Sequence, residues 1–182
     1  AINDAGTVAF VSAATASPAS RGWGVFMVDA QGQLSTLAQT YNIYGAQAPG
    51  SNATWEKFHD VTINNQGLAV FSATLVGSDG RAGYWYGHNS GDVQALVIEG
   101  QQIEVLPGVF KTVGRLDTGL HELADLNTTS LDDGLNNAGQ FAFTVAFTDG
   151  TEAVLRTALV STVPEPSRAL LWLAGASLLW SR

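Results

Sequence analysis

The chain has 182 residues, 8 basic against 16 acidic side chains for a net charge of −8, and 46% hydrophobic against 13% charged residues. Such a balance supports a packed core and argues against disorder, while the excess negative charge disfavours nucleic acid and anionic membrane surfaces. The absence of cysteine excludes disulfides, thiolate metal sites and a cysteine nucleophile.

The chain opens Ala1-Ile2-Asn3 and its single methionine is Met27. No charged segment precedes an apolar run and a small-residue cleavage site, so the sequence reads as a fragment whose secretion signal lies upstream. Runs of strand character then follow one another: Thr7 to Ala14, Gly22 to Val28, Phe58 to Ile63, Leu68 to Val76, Gly83 to Tyr86, Val93 to Ile98, Gln140 to Phe147 and Glu152 to Val160. Turn chemistry ending in glycine punctuates them at Asp29-Ala30-Gln31-Gly32, Gly77-Ser78-Asp79-Gly80, His88-Asn89-Ser90-Gly91 and Thr148-Asp149-Gly150. An all-β body of antiparallel meanders is expected.

One nine-residue pattern occurs three times. Ile2-Asn3-Asp4-Ala5-Gly6-Thr7-Val8-Ala9-Phe10 returns as Ile63-Asn64-Asn65-Gln66-Gly67-Leu68-Ala69-Val70-Phe71 and as Leu135-Asn136-Asn137-Ala138-Gly139-Gln140-Phe141-Ala142-Phe143. Asparagine at the first turn position accepts backbone N–H groups, and glycine at the fourth supplies positive φ, which together make a hairpin signal. Ala48-Pro49-Gly50 likewise answers Leu106-Pro107-Gly108. Over roughly residues 1–160 the chain resembles the tandem-repeat proteins described by N-x-x-G-x-x-A-F, which carry alternative C-terminal anchors; Val70 replaces the alanine in the second copy.

The strand after each glycine is apolar on both faces, with Phe10, Phe71 and Phe143 at one register and Ala9, Val70 and Ala142 opposite. This implies sheets covered on both sides, the phenylalanine of one packing on the small residues of the next. The expected architecture is a partial β-propeller of about four-stranded blades, with units at about 1–62, 63–134 and a partial 135–160. A solenoid of stacked sheets and a two-layer sandwich are the competing arrangements.

Chemistry-bearing clusters are sparse. Tyr41, Tyr44 and Trp55 surround Pro49-Gly50, where exposed rings would stack on a glycan, or else close over a sheet edge. Trp23, Trp85, Tyr84 and Tyr86 fall in strands and read as packing residues. His121-Glu122 with Asp125 lacks the second histidine of a zinc helix. Asp125, Asn127, Asp132 and Asp133 supply oxygen ligands without the spacing of a calcium loop. A glycosidase pair is defined by its separation in space, and Glu56, Asp60, Asp117 and Glu122 are candidates for it only in being acidic and near strand ends. No nucleophile elbow or phosphate loop is present, and the reading is of no catalytic set and no cofactor.

The chain ends with Val163-Pro164-Glu165-Pro166-Ser167, an uncharged apolar run over 169–180, and Ser181-Arg182. Two prolines hold the first segment extended and accessible. The twelve apolar residues would form a short helix of about 18 Å against a hydrocarbon core of about 30 Å, too short to span; a buried helix on the body is the other reading. Motif, apolar run and base together resemble the PEP-CTERM sorting signal of Gram-negative bacteria. That resemblance implies recognition and cleavage by an exosortase, a membrane association through residues 161–182 before processing, and a place in the cell envelope, outer surface or extracellular matrix. It also implies a link to exopolysaccharide. The expected function is a non-catalytic structural or interaction role; a carbohydrate-binding or carbohydrate-active propeller with the same tail is the alternative.

Overall fold

The structure, a computed structural model, describes residues 1–17, 20–40, 47–77, 81–116 and 134–159. All regular structure there is β, and every strand pair is antiparallel. The first sheet is a meander of β1 (Val8–Ser17), β2 (Ser20–Val28) and β3 (Leu34–Gln39). In the second, β4 (Thr54–Ile63), β5 (Ala69–Val76), β6 (Ala82–Gly87) and β7 (Gln94–Ile98) lie in chain order. The third runs in chain order through β8 (Gln102–Leu106), β9 (Val109–Leu116), β10 (Gln140–Phe147) and β11 (Glu152–Ala158). The expected apolar helix and the sorting motif from Val163 to Ser167 lie outside the described residues.

All eight anticipated strands are present, and three unanticipated ones join them. β3 and β8 are short, and β9 carries Lys111, Gly114 and Arg115 among its apolar residues, so none of the three reads as a continuous apolar run. Their pairing comes from neighbouring strands more than from their own propensity.

Two cores separate the three sheets. Between the first and second lie Ala9, Val25, Met27, Phe58, Phe71, Trp55 and Trp85. Between the second and third lie Val70, Tyr84, Val113, Leu116, Phe141, Phe143 and Val145. The middle sheet is therefore buried on both faces, which explains why β5 lacks polar alternation. The second and third phenylalanines of the repeat point back toward the preceding sheet, the reverse of the expected direction: Phe71 shares a core with Ala9, and Phe143 with Val70.

The N-x-x-G segment is a hairpin inside a sheet rather than a link between sheets. It joins β4 to β5, with Ile63 paired to Ala69, and the same rung appears as the bridges Ile2 to Val8 and Leu135 to Phe141. The sequence boundary at 62/63 accordingly falls within β4.

A second register relation is hidden by an insertion. Phe58 pairs with Ala73 and Trp55 with Leu75, with a bulge between Trp55 and Lys57. In the third sheet Leu116 pairs with Val145 and Val113 with Phe147, with a bulge at the same place. β9 is thus the counterpart of β4 at an offset of 58 residues (116 − 58), the offset that also relates Gly50 to Gly108, both at positive φ near 76–77°. The asparagines of these two units are 72 apart. The difference, 14 residues, lies between Leu116 and Leu135, where the second unit has only Phe58 to Ile63.

Candidate functional site: the stacked asparagine turns

Each repeat turn closes as its residue types dictate. Asn3 Oδ1 accepts the Thr7 N–H at 2.8 Å; Asn64 Oδ1 accepts Gln66 and Leu68 N–H, both at 3.0 Å; Asn136 Oδ1 accepts Ala138 and Gln140 N–H at 3.0 and 2.9 Å. Gly6, Gly67 and Gly139 donate back to the asparagine carbonyls and sit at φ of 80°, 77° and 69°. Side chains with a Cβ adopt that region only at a cost of about 1 kcal/mol or more.

The asparagine amide has a second task that ties the sheets together. Asn3 Nδ2 donates to the Asn64 carbonyl at 3.0 Å across 61 residues, and Asn64 Nδ2 donates to the Asn136 carbonyl at 3.2 Å across 72. A parallel rail runs through the next position. Asp4 N–H donates to Asn65 Oδ1, and Asn65 N–H to Asn137 Oδ1, both at 2.9 Å; Asn65 Nδ2 returns a 2.6 Å bond to Asp4 Oδ2. This rail was not anticipated, although its signal is visible: asparagine or aspartate follows the first asparagine in all three copies.

Only asparagine can fill both roles. Asp29 makes the same turn, its Oδ1 accepting Gln31 and Gln33 N–H at 2.9 and 2.8 Å with Gly32 at positive φ. An ionised carboxylate has no N–H to pass to a neighbouring sheet. The turn at His88 closes differently from expectation. Asp92 Oδ1 accepts both the His88 and Asn89 N–H, Gly91 is not among the glycines at positive φ, and His88 Nδ1 lies 3.3 Å from Asp92 Oδ2.

Glu99 adds a further tie between sheets. One carboxylate oxygen accepts Ala82 N–H on β6 and the other accepts Leu116 N–H on β9, each at 2.9 Å. On the third sheet Lys111 reaches Asp149 at 2.9 Å and Thr151 at 2.6 Å and lies over the Phe147 ring. Hydrogen bonds from the Thr151 side chain, Lys111 and the Thr151 backbone hold the exposed Asp149 carboxyl well below its ordinary range.

The glycan reading of Trp55 is corrected: the residue is 4% exposed, its ring packed against Phe58, Phe71 and Trp85 at 4.6–5.7 Å. β4 opens only one residue before it and turns it inward opposite Leu75. Tyr41, Tyr44, the oxygen cluster of Asp125, Asn127, Asp132 and Asp133, and the acidic candidates Asp117 and Glu122 lie outside the described residues. Glu56 is exposed, and Asp60 Oδ1 accepts the N–H of Val61. Among the described residues no group of three His, Asp or Glu side chains is placed to hold a metal.

His59 carries the one buried side-chain polar atom without a hydrogen-bond partner among the described residues. Its Nε2 lacks a hydrogen bond, and burial, helped by Lys57, lowers its pKa to about 4. A cavity of about 240 Å³ opens beside the ladder, lined by Asn64, Gln66, Leu68, His88, Asn137 and Leu159 among others.

Residues 1–170 match the profile of a family of unknown function, DUF7453. The chain belongs to that family. The match to DUF7453 spans all three asparagine turns. No curated protein and no solved structure matches the chain.

Proposed function

We propose that this DUF7453 chain is an exported repeat protein of the Gram-negative cell envelope or extracellular matrix, acting as a rigid, non-catalytic scaffold. Export and processing rest on the order of Val163-Pro164-Glu165-Pro166-Ser167, the apolar run and Arg182. An exosortase-type enzyme is the processing partner, the membrane is met through the tail before cleavage, and exopolysaccharide is the surrounding material.

The observation that carries the scaffold role is the asparagine ladder. Its polar groups, together with Glu99, Asp92 and Asp29, are engaged in turn closure and in joining sheets. Continuation of the same stack around an axis would give the blades of a propeller, and this radial arrangement belongs to the proposal. The competing carbohydrate-active reading requires two carboxylates facing one another in a cleft.

C-terminal mass spectrometry of envelope protein from the native host tests the assignment. Mature protein ending soon after Pro166 is expected. Recovery of intact Arg182 in the mature product would refute processing.

A further inference from the structure

We propose that the segment Pro164-Glu165-Pro166-Ser167-Arg168 adds to the outer edge of β11 as a fifth strand of the third sheet, so that the Pro-Glu-Pro motif is carried on the folded body instead of hanging free of it. β11 is the counterpart of β2 and β6, since Phe143 pairs with Leu155 as Phe10 does with Phe26 and Phe71 with Trp85. The outer edge of β2 is taken by β3 and that of β6 by β7, whereas among the described residues no strand takes that of β11.

The two existing edge strands share one register. Phe26 pairs with Thr36 and Trp85 with Ala95, each ten residues on (36 − 26 and 95 − 85). Met27 with Ser35 and Tyr86 with Gln94 are eight apart (35 − 27 and 94 − 86), and Val25 with Ala38 and Tyr84 with Val97 thirteen (38 − 25 and 97 − 84). Both strands bulge at the same place, leaving Leu37 and Leu96 as the extra residue. Carried to the third sheet, these offsets set Pro164 opposite Arg156, Glu165 opposite Leu155 and Ser167 opposite Val154, with Pro166 at the bulge.

Proline has no N–H to give a ladder, and in sheets it is confined to edge strands, to the first residue of a strand and to bulges. Pro164 falls on the counterpart of Gln94, which opens β7, and Pro166 on the bulge residue, both in a strand at the edge. The spacing of the two prolines is therefore one that this register accepts. Prolines on an outermost strand also hinder pairing with a further chain.

A second observation, away from β11, marks the same place as open. In the second sheet the Ala48-Pro49-Gly50 turn is seated on β6 and its edge strand: the Pro49 carbonyl accepts the Trp85 indole N–H at 2.9 Å, and a Cβ at Gly50 would lie 2.5 Å from the Ala95 Cβ. At the counterpart turn, Leu106-Pro107-Gly108, a Cβ on Gly108 meets nothing within 4 Å, and Leu106 and Phe110 are 64% and 60% exposed. Leu155, which stands where Trp85 is fully buried, is only half-buried. β11 leads directly into the segment that fits the offsets, so the occupant is the chain's own continuation and not a strand from a second molecule.

Docking and processing of this segment are separable: under the processing reading, residues 164–168 must leave β11 before an enzyme can take them. The chain has no cysteine, so an introduced pair can trap the register in all 182 residues. Val154→Cys with Ser167→Cys would set two thiols directly opposite, and Val154 is 75% exposed, so its replacement leaves the core intact. Val154→Cys with Ser161→Cys is the control, at a separation of 7 residues (161 − 154) against 13 (167 − 154). A free tail closes the shorter loop about two- to threefold more readily, whereas the docked strand should form the 154–167 disulfide at least about tenfold faster than the control under mild oxidation. The expected product is an internally linked monomer on non-reducing electrophoresis, with the linkage mapped by peptide mass spectrometry. Closure of the 154–167 pair no faster than the control, or disulfides that form only between molecules, would overturn the proposal.

Discussion

The side-chain amide of Asn64 donates to the backbone carbonyl of Asn136, 72 residues later, from a side chain only 4% exposed. Its Oδ1 meanwhile closes its own turn. Asn64→Asp keeps the acceptor and deletes the donor, leaving a buried carboxylate facing a carbonyl. A loss of about 2–3 kcal/mol is expected, against about 1 kcal/mol or less for Asn136→Asp, whose side chain is exposed. Urea unfolding of the two variants in parallel checks the difference, and equal losses would show that the rung between sheets is not what matters.

Two glycines separate conformational from steric demand. A Cβ at Gly67 meets nothing within 4 Å, so Gly67→Ala should cost only the positive-φ penalty of about 1 kcal/mol. At Gly83 a Cβ would come within 2.5 Å of the Trp85 ring and 2.8 Å of the Val97 carbonyl. Gly83→Ala should cost about 2–3 kcal/mol and alter the near-ultraviolet circular dichroism of Trp85, because the ring occupies the space that the glycine vacates. Thermal melts and near-ultraviolet spectra distinguish the two.

Much of this fold can be read from the sequence because its repeat acts locally. Asn3, Asn64 and Asn136 with their glycines specify turns within four residues, and the flanking apolar runs specify strands. What lies beyond local reach is not legible in the same way. The offset of 58 between β4 and β9 is masked by the extra residues before Leu135, and β9 shows its identity only through pairing with Val145 and Phe147. Trp55 shows the same limit at the site: near a Pro-Gly turn it resembles an exposed loop aromatic, and only the partner rings of β5 and β6 reveal it as core.

Trp55 therefore behaves as a stability residue. Trp55→Ala should lose about 3–5 kcal/mol and Trp55→Phe roughly 1–2 kcal/mol. Neither change is expected to alter retention on polysaccharide affinity gels while the protein is folded. A selective loss of glycan retention by folded Trp55→Phe would restore a binding role.

His59 makes the fold sensitive to acid. Its pKa falls from 6.5 to about 4 on folding, so the unfolded chain binds more protons between those values. The stabilising contribution of the neutral ring is complete above about pH 6.5 and is lost as pH falls toward 4. Discounted for partial solvent access, the loss is about 1–2 kcal/mol. Urea midpoints at pH 7 and 4.5 should converge in His59→Gln relative to the parent, and an unchanged difference would assign the acid response elsewhere.

The final test concerns the residues between β9 and the third turn. Leu116 and Leu135 hold the register positions of Phe58 and Ile63, yet they are 19 residues apart (135 − 116) where their counterparts are 5 apart (63 − 58). Deleting residues 119–132 restores the shorter spacing while keeping both pairing positions. Loop closure entropy changes only slowly with length, so the shortened chain should keep its fold and lie within about 1 kcal/mol of the parent. Urea unfolding and far-ultraviolet circular dichroism provide the check. Collapse of the third sheet, seen as a lost cooperative transition, would mean that β9 and β4 are equivalent in pairing but not in connection.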